Sequence, residues 1–126
     1  MIRDPDFAPA YFGIAYVYSV QMKLDLAIQN YRKSIVKDPT FSHSYSNLGL
    51  ALLYSNRPTE ALPMLKKALE VDSKNGDANV NMALYYFETK DYVAAWKHVH
   101  YAQDNRTQIK PELLPDLRSM MPEPQR

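Results

Sequence analysis

Residues Tyr11 to Pro39 read YFGIAYVYSVQMKLDLAIQNYRKSIVKDP, and this stretch decides the fold. Its pattern is a helix, a turn and a second helix. Tyr11, Ile14, Ala15 and Tyr18 put a large residue, an aliphatic, a small residue and an aromatic toward a partner helix. Leu24, Ala27, Ile28, Tyr31 and Ile35 form the stripe of the second segment, with Arg32, Lys33 and Lys37 toward solvent. Pro39 closes the unit, because proline disfavours the α region for the residue before it.

The same pattern returns twice downstream. Tyr45, Leu48, Gly49 and Leu52 match the first segment; Ala61, Leu65 and Ala68 match the second. Pro58 falls at the first position of that second helix, where its missing N–H costs little. Pro63, two turns in, predicts at most a slight bend. Further on, Asn79, Met82, Ala83 and Tyr86 are followed by Ala95, Val99 and Ala102, with Asp91 placed as an N-cap. Ser73 and Thr107 stand where the closing proline would be. Ala15, Gly49 and Ala83, with Ala27, Ala61 and Ala95, mark close helix contacts. A larger side chain there would overpack by roughly 1–3 kcal/mol.

Three such units in register resemble the tetratricopeptide repeat, with its period of about 34 residues. The resemblance implies an all-α, right-handed α-solenoid of three helix–turn–helix units, at 8–41, 42–75 and 76–109, plus a C-terminal capping helix. Helices are expected from about Ala8 to Val20, with Asp6 as N-cap, and from about Asp25 to Lys37. Residues 1–7 fit the end of a preceding repeat or an N-terminal cap. Ile2-Arg3-Asp4-Pro5 precedes the first unit as Val36-Lys37-Asp38-Pro39 precedes the second. Upstream sequence is therefore expected; a short N-terminus that happens to match is the alternative.

Residues 110–121 depart from the repeat. Leu113, Leu114, Leu117 and Met121 share one face of a short helix, expected to cover the apolar end of the solenoid. A partner-binding peptide is the other reading of that segment. Residues 122–126 are expected to be disordered.

Composition narrows the function. A net charge of +1 gives no long-range pull on nucleic acid. With no cysteine there is no disulfide framework and no thiolate site. No stretch approaches the roughly 18 apolar residues of a membrane span, and no signal peptide opens the chain. His43, His98 and His100 belong to no metal motif. The three glycines are scattered, so no phosphate loop exists, and no nucleophile–base pair is supported. The expectation is a non-enzyme with no cofactor and no metal. The compartment stays open, with cytoplasm expected ahead of periplasm.

The resemblance also implies a site. In this family the first helices line a concave groove that binds peptides. By register the groove takes Phe12, Gly13 and Tyr16 from the first unit. The second supplies His43, Ser46, Asn47, Leu50 and Tyr54. The third supplies Asp77, Val80, Asn81, Leu84, Phe87 and Glu88. Asn47 and Asn81 lie one repeat apart, where family members commonly use asparagine to bond a ligand backbone; an amide both donates and accepts. Members that hold the C-terminal carboxylate of heat-shock chaperones use Lys and Arg there, and Phe12, Asp77 and Asn81 occupy those places. The expectation is a scaffold that binds an apolar or aromatic protein segment. The alternative is a self-associating segment of a longer array. Arg32, Lys33, Lys66, Lys67 and Lys97 are expected to form a solvated face on the second helices.

Overall fold

The structure is a computed structural model and describes residues 7–109 and 111–125. Among these, seven helices follow in order: α1 (Ala8–Val20), α2 (Leu24–Lys37), α3 (Ser42–Tyr54), α4 (Pro58–Val71), α5 (Gly76–Glu88), α6 (Tyr92–Asp104) and α7 (Leu113–Met120). The first six pair as α1/α2, α3/α4 and α5/α6, and α2 and α4 each rest on the first helix of the next pair. The chain is an all-α helical repeat solenoid. The proposed end of an earlier repeat at 1–5 and the Asp6 cap lie outside the described residues. α4 runs unbroken through Pro63.

Two turn devices alternate along the row. Within each pair the chain reverses through Met22 (φ 58°), Asn56 (φ 60°) and Lys90 (φ 67°), each 34 residues after the last. The next amide closes back on the helix: Lys23 N–H to the Tyr18 carbonyl at 2.9 Å, Arg57 to Leu52 at 2.9 Å, Asp91 to Tyr86 at 2.8 Å. Between pairs, Asp38 and Asp72 accept the backbone N–H groups of Thr40 and Lys74, both at 3.0 Å. These Asx turns lead the chain out in extended form. Arg106 stands at the third such place and offers no acceptor. It takes the left-handed region (φ 58°) instead, and the Thr107 N–H bonds the Ala102 carbonyl at 2.9 Å. So α6 ends on the within-pair device.

All six small residues at the helix contacts are buried. A Cβ on Gly49 would lie 2.6 Å from Leu65 Cδ2, so only glycine fits that approach. Ser34 stitches α2 to both neighbours, donating to the Ala8 carbonyl at 2.9 Å and sharing a 2.6 Å bond with Ser44. One expectation fails. Ile14, placed toward the partner helix by its spacing, is 47% exposed, whereas Leu48 and Met82 at the same repeat position are buried. Leu48 packs in one cluster with Ile28 and Tyr31 of the preceding pair, and no described helix precedes α1.

At the other end α7 packs on α6. Leu113 and Leu117 bury against Trp96 and Val99, with Leu114 and Met121 partly buried beside them. Trp96 Nε1–H donates to the Met121 carbonyl at 3.2 Å. In the segment after it, Glu123 lies 2.9 Å from His100 Nε2 and 3.4 Å from Arg118. No helix among the described residues is long and apolar enough to cross a membrane.

In the third pair Asn79 takes the place of the leading large residue; it is buried, and its amide oxygen lies 3.0 Å from Nδ1 of the partly buried His98. The Tyr86 ring stacks on the imidazole at 5.5 Å. Burial first, and the Lys97 charge second, push the His98 pKa below its ordinary value. The folded state therefore favours neutral imidazole, and the unfolded chain binds the proton first. Stability is full above about pH 6.5 and falls as pH drops through the lowered folded value. Thermal melts at pH 8 and pH 5.5 check this: the wild-type chain should lose more on acidification than His98→Gln.

Candidate functional site

The first helices bring most of the expected groove residues together. Phe12 on α1 meets Tyr16 (6.4 Å between ring centres), Phe41 (5.4 Å) and His43 (6.3 Å). Phe41 was not foreseen. It sits at the N-cap of α3 without a capping side chain, and an aromatic just before a serine-led helix was its sequence signal. Next along, Tyr16, Asn47, Leu50 and Tyr54 surround a cavity of about 120 Å³ with Tyr31 and Ala51 behind. Tyr54 also reaches a second cavity of about 280 Å³ that Leu84 and Glu88 line. The strip from Phe12 to Tyr54 thus presents mainly aromatic and aliphatic surface, and the end at Leu84, with Asn56 and Glu88, is polar as well.

The two asparagines part company. Asn47 is half-buried at its cavity, and its side-chain amide makes no hydrogen bond to another described residue. Asn81 is 4% exposed, and its Nδ2 donates to the Ser46 carbonyl at 3.0 Å. One N–H of that amide ties α5 to α3. The cause is the close approach of consecutive first helices, which would otherwise leave the amide buried without a partner. Val80, also placed in the groove by register, is buried as well. Phe87 turns toward the cap cluster, 6.0 Å from Tyr92. Asp77 is exposed in the first turn of α5, away from both cavities. Gly13 faces open space. Among the described residues no three His, Cys, Asp or Glu side chains come together as a metal set.

On the second helices, Arg32, Lys33, Lys66 and Lys97 are exposed. Arg57 grips Glu60 through two N–H donors, one at 2.8 Å, and holds its carboxyl below the usual carboxylate range.

Residues 52–99 match the tetratricopeptide repeat family model. That stretch is tetratricopeptide repeat sequence. Protein O-mannosyl-transferase TMTC3 of Mus musculus is 34% identical over 88 residues, 69% of this chain and 10% of that protein. Small glutamine-rich tetratricopeptide repeat-containing protein 2 of Saccharomyces cerevisiae is 30% identical over 95 residues, 75% of this chain and 25% of that protein. The chain thus spans a tenth to a quarter of these relatives. Among solved structures, the first tetratricopeptide repeat domain of Spaghetti (RPAP3), bound to the HSP90 peptide SRMEEVD, superposes with a TM-score of 0.81. The identity is 20%, over 93% of this chain and 92% of that one. The Sgt2 domain of Aspergillus fumigatus gives 0.79 at 18% identity, over 90% and 76%. These likenesses establish the repeat fold.

Proposed function

We propose that the chain is a non-enzymatic protein-interaction module. It holds an extended protein segment along the first-helix groove and serves as a scaffold in a larger assembly. The observation that carries this is Asn47, an amide with no bond to another described residue, set among Tyr16, Leu50 and Tyr54 at a cavity. Such an amide can take the N–H and C=O of a passing peptide group whatever its side chain. Each large side chain buried beside it contributes about 1.5–3 kcal/mol. The RPAP3 domain solved with an HSP90 peptide supports peptide binding by this fold. The occupant here differs in character, because Phe12, Asp77 and Asn81 stand where cations would hold a terminal carboxylate. The favoured segment is apolar or aromatic.

A displayed library of random peptides, selected on the whole chain, tests this. Enriched peptides should carry apolar or aromatic residues and bind Tyr16→Ala/Asn47→Ala at least tenfold more weakly, with helicity unchanged. Peptides that bind both chains equally would sink the groove as the site. Asn81→Ala is unsuitable as a probe, since it also removes a buried bond.

Self-association is the second reading. Ile14, Val17 and Val20 expose apolar surface on α1, and at the Ile14 position the second and third pairs bury Leu48 and Met82. Sedimentation at rising concentration should then show dimers that Val17→Lys abolishes; a monomer throughout counts against it.

A further inference from the structure

We propose a second peptide site on the second-helix face, between α2 and α4, that takes a large apolar side chain lying next to a carboxylate. α2 and α4 both pack on α3 but not closely on each other. The gap between them is a cavity of about 550 Å³, within the range of ligand clefts. Tyr45, Leu48 and Leu52 of α3 form its floor, and Ile35 and Met64 its walls. Val36 stands at the lip, 76% exposed, an aliphatic side chain that nothing covers.

Charge states the rest of the ligand. Arg32 on α2 reaches across the mouth to Glu60 on α4 at 3.8 Å, with both side chains about half exposed. An ion pair of that length and exposure contributes little. Glu60 already has Arg57 as its close partner. Arg32 therefore has donors to offer another carboxylate, and its planar fork suits one. Across α2 a second cavity of about 350 Å³ shares Arg32 and Val36 and adds Lys33, whose ammonium lies 6.0 Å from the Tyr11 ring centre. An apolar slot beside a cationic shelf, spread over two cavities, matches an acidic peptide with an apolar anchor. One repeat on, the matching cavity replaces Tyr45, Pro63 and Met64 with Asn79, Lys97 and His98. It is smaller, about 270 Å³, with Asn79, Lys97 and His98 among its lining residues. The first junction thus offers the larger slot of the two.

The test selects a displayed random-peptide library on the full chain carrying Tyr16→Ala/Leu50→Ala, so the groove is disabled and its fate is scored separately. Enriched peptides should place Phe, Leu or Trp within two residues of Asp or Glu. Binding should weaken at least tenfold with Arg32→Glu and with Met64→Lys. Arg32 is on the surface, so that variant folds even if Met64→Lys does not. No enrichment, enrichment without acidic residues, or binding that survives Arg32→Glu would overturn the site. So would capture of dodecanoate alone with no peptide enriched.

Discussion

Trp96→Ala is expected to destabilise the chain by about 3–5 kcal/mol, the range for truncating a large buried aromatic. Trp96 is fully buried where α6 meets α7. Its ring supports Leu113 and Leu117, and its N–H satisfies the Met121 carbonyl. Truncation removes the apolar contact and leaves that carbonyl without its donor. In a solenoid each unit leans mainly on its neighbours. The damage should therefore concentrate in α5 to α7, with α1 to α4 retaining their amide protection. Urea unfolding followed by circular dichroism gives the total, and hydrogen exchange gives the distribution. Trp96→Phe should recover most of the apolar term and lose the hydrogen bond, at about 0.5–1.5 kcal/mol. Loss below about 1 kcal/mol for the alanine variant, far short of the truncation range, would mean α7 does not depend on this ring.

Leu65→Ala is the second large effect, about 2–5 kcal/mol. Leu65 is completely buried on α4, and its Cδ2 occupies the space a Gly49 side chain would need. Gly49→Ala alone should also destabilise. Overpacking of about 1–3 kcal/mol outweighs the gain of about 1 kcal/mol from replacing glycine inside a helix. The two substitutions act on one volume, so they should not add. In the double variant the new methyl on residue 49 enters the space left by Leu65, and the combined loss should fall short of the sum by 0.5 kcal/mol or more. Strict additivity would show that the neighbouring helices shift apart when either residue changes.

Much of the fold was legible because the constraint is local and recurs. A small residue at 15, 49 and 83, and again at 27, 61 and 95, can only mean repeated close approach, and all six are buried. What escaped depends on neighbours outside one unit. Ile14 has the spacing of a core residue, but its burial needs a helix before α1. Asn81 has the spacing of a ligand contact, but one N–H of its amide is bonded to the Ser46 carbonyl. Phe41 belongs to no helical stripe, so periodicity passes over it, although it packs on Phe12 and His43. Left-handed turns were half visible: Asn56 suits that conformation, while nothing in Met22 or Lys90 announces it.

Asp38, Asp72 and Arg106 carry a consequence for the heading of the chain as it leaves each pair. One carboxylate oxygen per period steers the backbone outward, and the next hairpin joins the row. Where a guanidinium takes that place, the backbone folds back and the helix that follows has only eight residues. The heading at each junction thus tracks a single side chain: an acceptor leads the backbone out, and its lack turns the backbone back.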